Sequence, residues 1–189
     1  KQKSQFDSLL ADTGAIRKTL AASGGILAWP QTHYDIVRPG IMLYGSSPFA
    51  DRSAQSLGLL PVMTLKSRLI AISTLNAGDA VGYGGTFVAD RPMRIGVVSI
   101  GYGDGYPRKA PTDTPVLVET PAGMQRTTLK GRVSMDMITI DVTDLQVEVG
   151  ASVVLWGDGL PADEIAQHCA TIAYELFCQV TARVPRQSS

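Results

Sequence analysis

Two tyrosines in this chain stand between glycines: Tyr83 in V-G-Y-G-G-T-F and Tyr102 in I-G-Y-G-D-G-Y-P-R. Glycine reaches positive φ without strain, so a phenol framed this way can ride an unusual backbone path and come close to a ligand. Tyrosine is also one of the few side chains that can serve as a general base, once nearby cations pull its pKa down from ~10. The same spacing describes two hairpin or bulge sites filled by aromatic rings, and local sequence leaves both readings open.

Three further stretches carry chemistry-bearing residues. Arg38-Pro39-Gly40-Ile41 joins a fixed proline turn to a glycine whose N–H is expected to stay open to an approaching anion, and Ser23 offers a hydroxyl just upstream. Such a turn cradles a phosphate or simply ends a strand. Gly131-Arg132-Val133-Ser134-Met135-Asp136-Met137 sets Arg132 and Asp136 four apart, either at a charged site or as a surface link beside core methionines. Tyr174-Glu175 opens a short helical stretch. His33 and His168 have no partner at ligand or triad spacing, so Ser/His/Asp chemistry is unsupported. The segment G-Y-G-D-G-Y is not a dinucleotide fingerprint, because Tyr106 stands where the last glycine belongs.

The elements that must position these residues change character along the chain. Phe6, Leu9, Leu10, Ile16 and Leu20 recur at helical spacing, interrupted by Gly14 and stopped by Ser23-Gly24-Gly25. Asp35–Val37 and Ile41–Tyr44 read as short extended runs. This α/β rhythm resembles the closing turn of a larger body, whose apolar faces at Phe6, Leu9 and Leu20 predict self-association or disorder over residues 1–30. A polar linker follows at 49–60. From residue 61 the pattern is β: a long strand through Val62–Ile72, then runs at Ile95–Ile100, Val116–Glu119, Arg126–Leu129, Ile138–Val142 and Val153–Trp156. Pro161 suits a helix first turn, a second short helix surrounds Tyr174–Phe177, and Thr181–Val184 reads as a last strand. The expected fold is mainly β: a small antiparallel barrel or sandwich after an α/β segment.

Composition bounds the function. Lys+Arg and Asp+Glu balance at 17 each, which removes a global electrostatic case for nucleic acid or an anionic membrane. With 189 residues, 44% of them apolar, the chain buries roughly 70% of its unfolded surface without staples. Cys169 and Cys178 lack metal-site spacing, so reduced thiols are expected and no metal is. No apolar run approaches the ~18 residues that span a bilayer, and Lys1-Gln2-Lys3-Ser4 opens no secretory signal. A cytoplasmic location is the default expectation.

Each motif is weak alone, but their order is specific. R-P-G-I-M-L-Y-G, V-G-Y-G-G-T-F, I-G-Y-G-D-G-Y, G-R-V-S-M-D and T-I-A-Y-E…R-V-P-R together resemble the C-terminal half of bacterial alanine racemases, across essentially the whole chain. The resemblance implies the end of a (β/α)8 barrel over residues 1–48, then a mostly β domain over 61–189. It also implies pyridoxal phosphate as cofactor, alanine as substrate and a head-to-tail homodimer in which each site joins one barrel to its partner's β domain.

Carried over, Tyr83 matches one of two catalytic bases and Tyr102 a tyrosine of the substrate entrance. Arg132 and Asp136 match charged residues farther out on that corridor. Met135 matches the residue whose backbone N–H helps hold the substrate carboxylate. Arg38 resembles the arginine that meets the pyridine nitrogen, and Ser23, Gly40, Ile41 and Tyr174 resemble the phosphate set. An arginine there leaves that nitrogen unprotonated, which the family reading links to suppressed transamination.

Two departures stand out. Ala22 occupies a position usually taken by asparagine. More seriously, Lys1, Lys3, Lys18, Lys66, Lys109 and Lys130 all lack the sequence setting of the family's Schiff-base lysine. The expectation is a portion of a racemase, inactive alone. Two alternatives stay open: a same-family racemase with serine or broader specificity, and a non-catalytic β-barrel interaction module.

Overall fold

The computed structural model describes residues 1–11, 13–14 and 16–188. Contacts divide the chain into two units, Lys1–Val62 and Met63–Ser189.

In the first unit, helix α1 (Gln2–Leu9) is pinned by a Lys3–Asp7 ion pair of 2.7 Å. The Tyr34 hydroxyl donates to the same carboxylate, and the Phe6 and Tyr34 rings pack 5.3 Å apart. Strand β1 (Thr19–Ala22), helix α2 (Ser23–Ala28) and strand β2 (Ile36–Arg38) form a β-α-β passage in which β1 and β2 run parallel.

Three expectations fail here. The apolar spacing through Leu20 does not continue the helix: α1 ends at Leu9, and Leu20 lies in β1, where pairing with β2 overrides periodicity. Ser23-Gly24-Gly25 opens a helix instead of only stopping one. Ile41–Tyr44 is a 3-10 turn, not an extended run, closed by Gly45 in the left-handed region. A Cβ on Gly45 would stand 1.9 Å from the Leu60 carbonyl oxygen, so this sharp corner requires glycine.

The second unit is built on β3 (Leu65–Leu75), long enough to serve two neighbours. Its first half pairs with β10 (Ser152–Trp156) and its second with β6 (Met93–Val98), both antiparallel, with register shifts between Leu69 and Ala71 and near Trp156 that bend the strand. Outside these lie β7 (Pro115–Thr120) and β8 (Gly123–Thr128) on one side and β9 (Ile138–Asp141) on the other, in the order β8-β7-β10-β3-β6-β9. The two edges then meet. Leu129 bridges Ile140, the Lys130 N–H donates to the Thr139 carbonyl at 2.8 Å, and the Thr127 hydroxyl donates to the Asp141 carbonyl. The six-stranded sheet therefore curls onto itself, as the mainly β barrel expectation held. A two-stranded hairpin, β4 (Ala80–Val81) and β5 (Phe87–Val88), stands apart from it.

Inside the curl, Val98, Val116, Val118, Leu129, Ile138, Ile140, Val153 and Leu155 are fully buried, each contributing about 1.5–3 kcal/mol. Helices α3 (Ala162–His168) and α4 (Ala173–Gln179) add Ile165 and Leu176. Pro161 sits at the N-cap and not inside the first turn of α3. Glu164 of that turn pairs with Arg126 of β8. Thr181–Val184 is not a strand. The Thr181 N–H and hydroxyl donate to the carbonyls of Asp104 and Gly103, and the Val184 N–H turns back to the Thr181 carbonyl at 3.2 Å.

Candidate active site

Tyr83 sits at the tip of the β4–β5 hairpin, in a tight turn made by Gly82, Gly84 and Gly85, all at positive φ. The ring is 73% exposed, and its hydroxyl has no protein partner among the described residues. Behind it runs the 131–137 corner. A Cβ on Gly82 would stand 3.3 Å from the Arg132 amide nitrogen, and one on Gly84 would stand 3.4 Å from the Arg132 guanidinium. The hairpin and the corner are thus in direct backbone contact.

Tyr102 opens a second tight turn, Tyr102–Asp104, sewn to the other side of the same corner. Its N–H donates to the Ser134 carbonyl at 3.0 Å, and the Gly103 N–H donates to the Met135 carbonyl at 2.8 Å. The approach is so close that a Cβ on Gly101 would stand 2.3 Å from the Ser134 oxygen. The Met135 N–H, by contrast, meets no acceptor among the described residues.

These three pieces line one cleft of 680 Å³ that brings together Tyr83, Tyr102, Arg132 and Met135. Arg108 and Lys109 also line it, and sequence reasoning had not singled them out. Arg108 lies 6.0 Å from the centre of the Tyr102 ring, within cation–π range. Among the described residues no carboxylate lines this cleft. Asp136 does not line it: its carboxylate pairs instead with Arg183, which also reaches Asp104 at 3.3 Å. Arg183 entered the sequence analysis only as part of R-V-P-R. No local sequence pattern joins it to its two carboxylates, which lie on different turns.

In the first unit, Arg38 is anchored by its guanidinium to the Thr19 hydroxyl at 2.7 Å and to the Leu20 carbonyl at 3.3 Å. That leaves three of its five N–H donors for a ligand. Buried Ser23 accepts from the Gly40 N–H at 2.9 Å and from the Met42 N–H at 3.4 Å. The Gly40 N–H is therefore not open as expected, because the Ser23 oxygen lies in front of it. With two amides donating to its oxygen, the Ser23 hydroxyl keeps its own proton to donate elsewhere, and the Ile41 N–H between them has no acceptor among the described residues. Tyr174 lies in the second unit, in the first turn of α4, and is half-exposed.

The family model described as "Alanine racemase, C-terminal domain" matches residues 62–188, and "Alanine racemase, N-terminal domain" matches residues 1–48. The chain belongs to the alanine racemase family. It is 52% identical over 188 residues to the biosynthetic alanine racemase of Pseudomonas aeruginosa, covering 98% of this chain and 51% of that protein. With the alanine racemase of Nitrosomonas europaea it shares 55% identity over 177 residues, 93% of this chain and 48% of the relative. The crystal structure of the Pseudomonas aeruginosa biosynthetic enzyme superimposes with a TM-score of 0.94 at 51% identity, over 100% of this chain and 51% of that one. The alanine racemase structure from Bartonella henselae, solved with covalently bound pyridoxal phosphate, gives 0.83 at 30% identity, over 96% of this chain and 49% of that one. The chain spans about half the length of the curated relatives it matches.

The first-unit donors fit a phosphorylated pyridine. A hydroxyl with a proton to donate and an uncommitted amide suit phosphate oxygens, and an anchored guanidinium with spare N–H groups suits a ring nitrogen.

Proposed function

We propose that this chain is the tyrosine-bearing portion of a pyridoxal-phosphate-dependent alanine racemase that interconverts L- and D-alanine. The observation that carries this reading is the cleft: in a chain of the alanine racemase family, it gathers Tyr83, Tyr102, Arg132 and the free N–H of Met135.

Inverting the α-carbon requires a proton to leave from one face and return on the other, so two bases must flank the substrate. Pyridoxal phosphate, when bound, supplies the electron sink that makes the α-proton acidic. Tyr83 takes the proton as the phenolate or returns it as the phenol on one face; its exposed hydroxyl at a glycine turn is free to meet a substrate held by a second polypeptide segment. The opposite base is a lysine that none of the six lysines here supplies by its sequence setting. The Met135 N–H holds the substrate carboxylate, Tyr102 and Arg132 shape access, and Asp136 lies farther out. Arg38 would meet the pyridine nitrogen, and Ser23, Gly40, Ile41 and Tyr174 would hold the phosphate, with Gly40 acting through Ser23. Each site joins this portion of one subunit to the barrel of its partner in a head-to-tail homodimer.

The test compares two preparations supplied with pyridoxal phosphate and L-alanine. One is this chain alone; the other is a chimera preceded by the lysine-bearing first half of the Pseudomonas aeruginosa relative. Racemisation by the chimera and none by the chain alone is expected. Racemisation by the chain alone would overturn the division of labour, and a folded but inert chimera would overturn the activity.

A further inference from the structure

Arg183 is the group that ties the two walls of the cleft to each other from behind. Its Nε lies 3.3 Å from one Asp104 carboxylate oxygen, and its Nη2 donates to the Asp136 carboxylate. The second Asp104 oxygen accepts the Gly101 N–H at 2.9 Å, which closes the Tyr102 turn. Asp136 directly follows Met135, whose carbonyl accepts the Gly103 N–H. One guanidinium thus grips both segments that present Tyr102 and the Met135 N–H to the cleft.

The neighbouring chain is shaped around this grip. A Cβ on Gly103 would stand 2.3 Å from the Arg183 guanidinium and 3.0 Å from the Met135 carbonyl oxygen, so any larger residue there would push the guanidinium out of its place. Thr181 fixes the base of the arginine segment with its N–H on the Asp104 carbonyl and its hydroxyl on the Gly103 carbonyl, both at 3.0 Å. A Cβ on Gly105 would stand 2.2 Å from the Gln179 carbonyl oxygen, which brings the same segment against the far end of the turn. An isolated exposed ion pair does little, but a planar donor shared by two carboxylates in a backbone-fixed frame restricts both.

We infer that Arg183 is a positioning residue that sets the aim of the Met135 N–H and the Tyr102 ring through Asp136 and Asp104. Its effect on turnover rests on the racemase reading; its effect on the cleft does not. Lysine cannot reproduce the grip, because a single ammonium lacks the fork that spans two carboxylates.

Hydrogen exchange on the 189-residue chain tests the clamp without any activity. Arg183→Met is expected to speed exchange of the Tyr102 and Gly103 amides about tenfold or more, with β3, β6 and β10 unchanged and Arg183→Lys intermediate. In the chimera, Arg183→Met should raise KM for alanine about tenfold while kcat stays within about threefold. If Arg183→Met does not fold, Asp136→Asn opens the same clamp from its exposed side and should show the same local loosening. Unchanged exchange at Tyr102 and Gly103 would overturn the inference, as would loss of protection throughout the sheet. An inert wild-type chimera would sink the racemase reading and leave the exchange result to decide the clamp. Local loosening with an unchanged KM would overturn the positioning role.

Discussion

Gly131 passes so close to Val81 that a Cβ on it would stand 2.9 Å from the Val81 carbonyl oxygen. This contact fastens the base of the Tyr83 hairpin to the corner that carries Arg132 and Met135. The hairpin itself has only two residues per strand and belongs to no larger sheet, so its aim depends on that seat.

Gly131→Ala should therefore cost roughly 2–4 kcal/mol, combining left-handed strain at φ +76° with a backbone clash. Gly123→Ala, also at positive φ but with open space around it, should cost only about 1–2 kcal/mol. Urea denaturation of both variants measures the difference. Equal losses would mean that the close approach contributes nothing.

Tyr106 and Trp156 stack 6.0 Å apart at an interplanar angle of 12°, both buried, and the Tyr106 hydroxyl has no hydrogen-bond partner among the described residues. An unpaired buried hydroxyl costs about 1–3 kcal/mol. Tyr106→Phe should raise stability by about 1 kcal/mol, read as a later unfolding midpoint, and a clear loss of stability would show that the hydroxyl is paired.

Alkaline pH should destabilise the fold through two buried acids. Burial, with a smaller push from Glu175, raises the Cys169 thiol to about 11, and burial raises the Tyr106 phenol further. Unfolded, these groups titrate near ~8.5 and ~10, so the unfolded state releases their protons first. The Cys169 contribution is fully present below ~8.5 and is lost as pH rises through about 11, whereas the Tyr106 contribution begins to be lost only above ~10. Unfolding midpoints between pH 8 and 11 should fall in the wild type and fall less in Cys169→Ala. A flat profile would contradict the assignment.

Much of the β unit was legible because strands facing a core on one side alternate, and Asn-Ala-Gly-Asp, Pro-Ala-Gly and Gly-Asp-Gly punctuate them. The strands from Ile95, Val116, Ile138 and Val153 fall within two residues of their observed starts. What failed was set by distant partners. Leu20 has helical spacing but pairs with β2, and Thr181–Val184 spends its donors on the Tyr102 turn instead of a ladder. At the site, Tyr83 and Tyr102 were readable as glycine-framed residues, whereas the roles expected of Arg132 and Met135 came only from the family resemblance. The open Gly40 amide was misread because only the fold brings the Ser23 oxygen onto it. The Arg183 clamp was invisible for a similar reason: its two carboxylates lie on different turns, and no local pattern joins them.

The most direct measurement is racemisation by the chimera with Tyr83→Phe. The side chain is exposed and its hydroxyl is unpaired, so the variant should keep the wild-type unfolding midpoint. Removing the base should lower kcat by roughly 10²–10⁴-fold in both directions. A folded Tyr83→Phe chimera that racemises alanine at the wild-type rate would contradict the account.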